Sequence, residues 1–515
     1  MMNVHKKKLF NVIYGRTFMI LILLFIQVLI LAIMFLKLTD YIIYLYSFFT
    51  VLSTILVIYI LNKKEDPSFK LAWIIPILLV PVFGCIFYLF VEFQYGVKII
   101  NKRLELLEEE TSIFVKQNAD VMDNLYKSNI QVANLARYVE RVSKYPIYKN
   151  TKIEYFPLGE YKYKRMLEEI KKAEKYIFLE YFIIEEGEMW NTISDLLKEK
   201  VKKGVEVRVM YDGMCSIAML PYNYPEYLKT KGIQCKMFSP IRPALSTHQN
   251  NRDHRKILVI DGKVAFNGGI NIGDEYINRI SKYGHWKDCA VMLEGDAVKS
   301  FVIMFLQMWN INEKNPENYA KYICNDINNL NENHGYIMPF GDSPLDEEQV
   351  GENVYLDILA TANNYVYIMT PYLIIDSKMI RALTYASKRG IDVRIILPHI
   401  PDKKLVFMLT RTYYKDLIES GVKIYEYMPG FIHGKVFVSD DIKAVVGTIN
   451  LDFRSLYLHF ECATFIYKND IIKKISEDFK ETLNKCKLVS LNDCKNTNLL
   501  YKIGGSILRI FAPLL

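Results

Sequence analysis

Two stretches of this 515-residue chain repeat one pattern of reactive residues, and this repeat restricts the fold more than any other feature. The first stretch, RDHRKILVIDGKVAFNGGIN, begins at Arg252, and the second, HGKVFVSDDIKAVVGTIN, begins at His433. Both contain the pattern H-x-K-x4-D-x6-G-x2-N. A single H-x-K is common on solvated strands. Two complete copies at one internal spacing therefore predict two halves of one site.

Other segments repeat in the same order. The runs YIFLEYFII (176–184) and KKGVEVRVM resemble YIMTPYLII (367–375) and KRGIDVRII. Each pair indicates a buried strand, an amphipathic helix that ends at glycine, and a second buried strand. Strand, helix and strand in that order form a βαβ unit. The sequence predicts an α/β fold of two homologous repeats, 150–330 and 331–490, with mostly parallel sheets flanked by helices and a pseudo-twofold axis.

The region 1–95 is strongly apolar. The segments 17–36, 41–61 and 71–91 are each long enough to cross a bilayer as a helix, so two or three transmembrane helices are predicted before the repeats. Lysines and arginines precede the first segment and follow the third, which places both ends on the same, cytoplasmic side. Three full crossings do not allow this. Either the third segment, with Pro76, Pro81 and Gly84, crosses incompletely, or the first does. We favour a multi-pass membrane protein with a cytoplasmic catalytic domain.

Two further regions allow two interpretations each. Residues 96–149 are predicted to be a helical connector, or else the first layer of the next domain. The tail 491–515 includes IGGSILRIFAPLL, which is typical of a membrane-contacting segment or of a docked terminal helix.

The eight cysteines form no C-x-x-C pair, which argues against a zinc or thioredoxin-like motif. The net charge of +8 comes without a dense basic and aromatic stretch, so no nucleic-acid partner is expected.

The spacing of the repeated pattern indicates phosphoryl chemistry. A histidine and a lysine two positions apart on a strand point to the same face. The lysine charge, the asparagine amide and the amides of the glycine turn form a receptor for phosphate. If both histidines face one phosphorus, one attacks it to form a phosphohistidine, and the other protonates the departing oxygen and then deprotonates the acceptor. No metal or cofactor is needed, because the lysines and amides already oppose the phosphoryl charge.

The candidate residues follow from the two copies. The predicted catalytic residues are His254, Lys256, Asp261, His433, Lys435 and Asp440. The two aspartates are assigned an orienting or structural role rather than a chemical one, because Asp261 precedes Gly262 and could shape a turn. Asn271 and Asn450 are predicted to bind the phosphate.

The duplicated H-x-K-x4-D pattern, together with TPYLIID, GTINLDFRSLYLHFE and DPSFKLAWIIPILLVPVFGCIFYLF, resembles the phospholipase D superfamily and, within it, the bacterial cardiolipin synthases. The resemblance covers about 150–490 and the N-terminal segments. It implies that His254 is the nucleophile and His433 the acid/base, with acids behind them at Asp288 and Glu461. Gly269 departs from the serine that is usual in the superfamily, which removes one hydroxyl donor.

The resemblance also implies a reaction. One phosphatidylglycerol transfers its phosphatidyl group to a second, which gives cardiolipin and glycerol. The expected partners are membrane phospholipids and the bilayer, and the sequence predicts no oligomeric state. Two alternatives stay open: a membrane-anchored phospholipase D or a phosphatidyltransferase that uses another alcohol, and a catalytically inactive lipid-binding scaffold.

Overall fold

A computed structural model describes residues 29, 42–92, 95–215, 219–239, 251–313, 317–324, 335–496 and 498–514. The helices are α1 Ile42–Asn62, α2 Pro67–Leu79, α3 Pro81–Glu92, α4 Tyr95–Ser112, α5 Ala119–Ser128, α6 Ile130–Ser143, α7 Gly159–Lys172, α8 Glu188–Lys202, α9 Tyr224–Thr230, α10 Val298–Asn310, α11 Val350–Thr361, α12 Ser377–Lys388, α13 Lys404–Arg411, α14 Tyr414–Glu419, α15 Ile471–Leu483, α16 Leu491–Lys495 and α17 Leu499–Ile510.

The strands fall into two sets. Those of the first repeat are β1 Thr151–Phe156, β2 Tyr176–Tyr181, β3 Glu206–Asp212, β4 Gln234–Phe238, β5 Arg252–Asp253, β6 Lys256–Ile260, β7 Val264–Gly268, β8 His285–Lys287 and β9 Ala290–Gly295. Those of the second are β10 Tyr336–Asp342, β11 Tyr365–Met369, β12 Leu373–Ile374, β13 Asp392–Pro398, β14 Lys423–Tyr427, β15 Gly430–Ile432, β16 Val436–Ser439, β17 Lys443–Gly447, β18 Leu451–Asp452, β19 His459–Tyr467 and β20 Cys486–Leu488.

The two main sheets have the same strand order. The first runs β1-β9-β7-β6-β2-β3-β4, and the second runs β10-β19-β17-β16-β11-β13-β14 with β20 added at its edge. This match confirms the predicted duplication. The prediction of mostly parallel sheets was wrong, because within these two strand orders only β2-β3-β4 and β11-β13-β14 are parallel. Helical crossovers connect those strands. The motif strands, by contrast, follow each other through tight turns, which produce antiparallel pairs.

The two repeats share one interior. Helices α10 and α15 lie between the sheets, and each contacts strands of both repeats. Nearly every residue of α10 is buried, as expected for a helix that is apolar on all sides. Helix α6 packs on β10 and α11, and α4 packs on α10. The segment predicted as a connector therefore packs against the repeats.

The predicted third membrane segment does not form one helix. It divides at Val80, which has φ −136° and ψ 75°, into α2 and α3. Pro81 lacks the N–H that would continue α2, so the break is built into the sequence. A Cβ at Gly84 would lie 2.5 Å from the Cα of Ile77, so glycine is what allows the two helices to approach closely at the bend.

The N-terminal helices form a small core of their own around Ile60, Ile77 and Tyr88. Within the ranges that the structure describes, no helix has both the length and the apolar character needed to cross a membrane. The expectation of two or three transmembrane helices is therefore not supported. The predicted segment 41–61 corresponds to α1, while 17–36 lies outside the described residues apart from Leu29.

Helix α2 also contacts the second repeat. The Phe69 ring packs edge-on against the rings of Phe453 and Tyr457, with centroids 5.7 and 5.4 Å away. Tyr457 belongs to a π-helical turn, Arg454–Leu458, which leads directly into β19. The N-terminal helices therefore support the segment that precedes the site.

Asp261 and Asp440 do not lie at the site, which corrects their assignment as catalytic residues. Both have left-handed backbone conformations, with φ 54° and 56°, just after β6 and β16. Each carboxylate accepts hydrogen bonds from three successive backbone N–H groups, those of residues 174–176 and 363–365, at 2.8–2.9 Å. Strand β6 separates Asp261 from His254 by roughly 20 Å. The aspartates close turns.

We expect Asp261→Ala to lower the free energy of unfolding by about 2 kcal/mol, because three backbone donors lose a charged acceptor. Asp261→Asn, which tolerates the left-handed conformation and keeps one acceptor, should lose less. Urea titration of the full chain in detergent measures both. Turnover per folded molecule should stay near wild type, and a loss of several orders of magnitude would restore a chemical role for the carboxylate.

Candidate active site

Each motif histidine is held by a strand of the other repeat. Strand β5 pairs in parallel with the start of β19, and β15 pairs in parallel with β8. At the end of these short pairs, the His254 N–H donates to the Phe460 carbonyl at 2.9 Å, and the His433 N–H donates to the Lys287 carbonyl at 2.6 Å. The backbone therefore fixes both histidines across the boundary between the repeats.

The side chains cross the same boundary. Nδ1 of His254 lies 2.8 Å from Oε1 of Glu461, and Nδ1 of His433 lies 2.6 Å from Oδ2 of Asp288. All four residues are buried. When Nδ1 donates to the carboxylate, the lone pair of Nε2 is free to attack or to carry a proton. Each imidazole is thus oriented by the acid of the opposite repeat, so the structure pairs the predicted acids with the predicted histidines.

Two buried lysines accompany the histidines. Nζ of Lys256 donates to the His254 carbonyl at 2.5 Å, and Nζ of Lys435 donates to the His433 carbonyl. Burial lowers the pKa of Lys256 to about 7 and that of Lys435 to about 8. Lys435 also lowers the pKa of Lys256, so the two charges lie close together. A bound anion would oppose both effects, because it favours the protonated amines.

The two histidines differ in their electrostatic surroundings. Burial lowers the pKa of His254 well below its ordinary value, and Lys256 and His459 lower it further. Burial and Lys435 lower the pKa of His433 to about 4, while Asp288 opposes this change. Burial thus favours the neutral form of both histidines. Asp288 favours the protonated form of His433, which suits this residue as the group that carries the proton.

The two asparagines are buried on the loops that follow β7 and β17. The Asn271 carbonyl accepts a hydrogen bond from Ile183 N at 3.1 Å, and its amide donates to the Tyr276 hydroxyl at 2.9 Å. Oδ1 of Asn450 has no hydrogen-bond partner in the described part of the chain. Asn271 is therefore held in one orientation, whereas the Asn450 carbonyl is left for a ligand or for water.

Gly269 has a steric explanation. A Cβ at this position would lie 2.2 Å from Oδ1 of Asp288. The corresponding residue of the second repeat, Thr448, donates its hydroxyl hydrogen to Glu461. The two repeats thus use this position differently. In one repeat the acid fills the space of the missing side chain, and in the other a hydroxyl group orients the acid.

Aromatic and polar side chains outside the repeated motif complete the site. The ring of Trp286 lies 5.2 Å from that of His433, with Phe431 at 5.9 Å. The ring of His459 lies 5.4 Å from that of His254, with Phe182 at 4.9 Å. Trp286 and His459 each stand two positions before a buried acid, which is Asp288 just after β8 and Glu461 within β19. Since alternate residues of a strand share a face, this spacing was the available signal.

The donor atoms of His254, His459 and Glu461 lie within 4.8 Å of one another, so this group has the geometry to hold a metal ion. Its surroundings favour an anion instead. The ring of His459 is influenced by Arg454, Lys256, Arg252 and Lys403, all of which lower its pKa. Glu461 is already engaged by His254 and Thr448. The arrangement is that of a candidate phosphoryl-transfer site, with two histidines on a duplicated α/β fold.

Comparison with known proteins agrees with this class. The family model described as "Cardiolipin synthase, PLD-like domain" matches residues 166–309 and 355–483, and "Phospholipase_D-nuclease N-terminal" matches 51–92. The chain is 33% identical to cardiolipin synthase 2 of Bacillus anthracis over 91% of both proteins, and 32% identical to cardiolipin synthase of Geobacillus sp. (strain WCH70) over 90% and 92%. An uncharacterized protein of Streptococcus mutans is 50% identical over 89% of this chain and 99% of its own length.

A solved structure shows the same fold. Phosphatidylserine synthase of Haemophilus influenzae Rd KW20 aligns with 74% of this chain and 97% of its own, with a TM-score of 0.53 and 16% identity. The sequence matches cover most of both proteins and include both halves of the site. The chain therefore belongs to the phospholipase D-like cardiolipin synthase family.

We expect Gly269→Ala to displace the Asp288 carboxylate and to misorient His433. The turnover number should fall by at least tenfold, while the free energy of unfolding changes by about 1–3 kcal/mol because the new methyl overpacks a buried site. Thr448→Val, which removes a hydroxyl at the equivalent position without adding bulk, is the matched variant. Turnover and urea unfolding measure the two effects. Wild-type turnover in Gly269→Ala would contradict the steric explanation.

The pH dependence of kcat/KM should follow the protonation of Lys256 and Lys435. Each binds phosphate only when protonated, and its charged form is lost as the pH rises through its lowered pKa, about 7 for Lys256 and about 8 for Lys435. We therefore expect kcat/KM to decline between about pH 7 and 9. Lys435→Arg keeps its charge over this range and should make the decline less steep above about pH 8, leaving the part that Lys256 sets. An identical alkaline limb in the variant would exclude Lys435 as the titrating group.

Proposed function

We propose that this chain makes cardiolipin from two molecules of phosphatidylglycerol through a phosphohistidine at His254. As a member of its family, the chain is an enzyme of the phosphatidyltransferase type. The observation that carries the proposal is the crossed pairing of each histidine with the acid of the other repeat. Because this pairing engages Nδ1 of each histidine, both Nε2 atoms are available to react at one phosphorus, next to two buried lysines.

In the first step, Nε2 of His254 attacks the phosphorus of the donor lipid. The N–P bond forms as the bond from phosphorus to the glycerol headgroup oxygen breaks. His433 gives its proton to that oxygen, so that glycerol leaves neutral. Lys256 and Lys435 oppose the charge that builds up on the non-bridging oxygens.

In the second step, His433, now neutral, takes the proton of a hydroxyl group on the second phosphatidylglycerol. The oxygen attacks phosphorus, the N–P bond breaks, and both histidines return to their starting forms. Water competes with this acceptor. The buried rings of Trp286 and Phe431 beside His433 form an apolar wall that favours a lipid alcohol over water.

The proposed substrates require contact with a membrane. Large apolar side chains are exposed around the bend of the N-terminal helices, at Leu78, Leu79, Val80 and Phe83. Exposed apolar patches of this kind indicate lipid or protein contact. Helix α17 packs on α13 and α2 and exposes Ile503 and Ile507. We infer that these helices attach the enzyme to the bilayer that holds its substrate.

The experiment supplies full-length protein with phosphatidylglycerol vesicles and identifies the products. Cardiolipin and glycerol in equal amounts are expected. Phosphatidic acid as the main product would mean hydrolysis, and an absence of turnover would favour a lipid-binding scaffold. His254→Ala should abolish turnover, and His433→Ala should lower it by roughly 10²–10⁴-fold.

A substrate with a better leaving group separates the two histidines. A phosphatidyl ester of p-nitrophenol leaves without protonation, so His433→Ala should regain a burst of p-nitrophenolate that His254→Ala does not. His399→Ala, at an exposed histidine that contacts Glu426, serves as the control. Equal rescue of both variants would contradict the assignment of His254 as the nucleophile.

A further inference from the structure

The two halves of the site are equivalent in backbone but not in side chains. In the parallel pair of β5 with β19, Arg252 stands opposite His459, and in the pair of β15 with β8, Phe431 stands opposite Trp286. These four residues occupy corresponding positions, two before each catalytic histidine and two before each acid. The His433 side therefore carries two aromatic rings, while the His254 side carries a cation and an imidazole.

His459 is the unusual member of this set, because both of its ring nitrogens lack a partner, whereas Trp286 leaves only Nε1 without one. The residue is only 8% exposed, and neither ring nitrogen has a hydrogen-bond partner among the described residues. The nearest carboxylate contact, Nδ1 to Oε1 of Glu461, is 3.9 Å and too long for a hydrogen bond. A buried polar group without a partner costs roughly 1–3 kcal/mol. Such a group at the wall of a reaction site indicates that a ligand supplies the partner.

The charges around His459 indicate the kind of ligand. Arg454, Lys256, Arg252 and Lys403 all act on its ring, and all are positive. Arg252 is buried, donates to the Ser239 carbonyl at 2.8 Å and lies 3.6 Å from Asp212, so its charge is partly balanced. Arg454 is exposed and stands at the first position of the π-helical turn. A neutral imidazole N–H beside cations suits an anion with oxygen acceptors.

We propose that His459, Arg252 and Arg454 form a second anion subsite, which binds the phosphodiester of the acceptor lipid. The proposal rests on the proposed function, because only that reaction brings a second phosphate to the site. In phosphatidylglycerol the attacking hydroxyl and the phosphate are separated by three carbons. A phosphate held beside His254 would thus place the hydroxyl over the phosphorus of the intermediate. The subsite selects acceptors that carry a phosphate.

The test compares three acceptors with one donor, phosphatidylglycerol in vesicles or mixed micelles. Labelled glycerol has no phosphate, glycerol 3-phosphate has a phosphate without acyl chains, and phosphatidylglycerol has both. Exchange of labelled glycerol into phosphatidylglycerol reports the phosphohistidine step independently of the subsite. For His459→Asn we expect the rate of transfer to each phosphate-bearing acceptor, divided by the rate of glycerol exchange, to fall about tenfold. Arg454→Gln should change the same ratios in the same direction.

The outcomes distinguish a failure of the proposed function from a failure of the proposed subsite. If the wild-type chain exchanges no glycerol, the proposed function fails. If it exchanges glycerol but His459→Asn lowers all three rates equally, His459 acts by positioning His254 and the subsite is overturned. A fall with phosphatidylglycerol alone would mean recognition of acyl chains and would also overturn it. Arg381→Gln, at an exposed arginine on α12, is the charge-loss control and should leave all three rates unchanged.

Discussion

The structure depends on the two hydrogen bonds that cross between the repeats, from His254 to Glu461 and from His433 to Asp288. Each joins a residue of one repeat to a residue of the other, and the short pairs of β5 with β19 and β15 with β8 hold the backbone at the same places. Neither repeat contains a complete pair. The packing of α10 and α15 between the sheets therefore does more than build a core, because it sets the distance across which both histidines are oriented.

Burial and charge act against each other within this arrangement. Removal from water favours the neutral forms of the histidines and lysines, and it raises the pKa of Glu461 well above its usual range. Lys256 and the Thr448 hydroxyl favour the ionised carboxylate that the reactive tautomer of His254 needs. A phosphate bound near the lysines would favour their charged forms. An anionic ligand would therefore supply the negative charge that the two buried lysines lack in the protein alone.

The sequence was sufficient to predict the duplicated fold and the two histidine–lysine pairs, because identical spacing in two copies implies identical local geometry. It was not sufficient to fix the role of Asp261, since a spacing repeated within the chain does not say which end of a strand faces the site. The mixed sheets were missed because periodicity marks a strand without giving its direction. The break at Val80 was hidden in a continuous apolar run. His459 was overlooked because Arg252, which stands opposite it in the fold, lies far away in the chain.

Gly269 and Thr448 occupy corresponding positions of the two repeats, as do Trp286 and His459, yet their side chains differ. Two separate identical subunits around a twofold axis must present identical walls, because one gene encodes both. A change that improves one side is imposed on the other, even where it does harm. Once the two copies are joined in one polypeptide, each wall varies on its own. A donor and an acceptor can then be treated differently by a symmetric backbone, which is what a reaction between two molecules of one lipid requires.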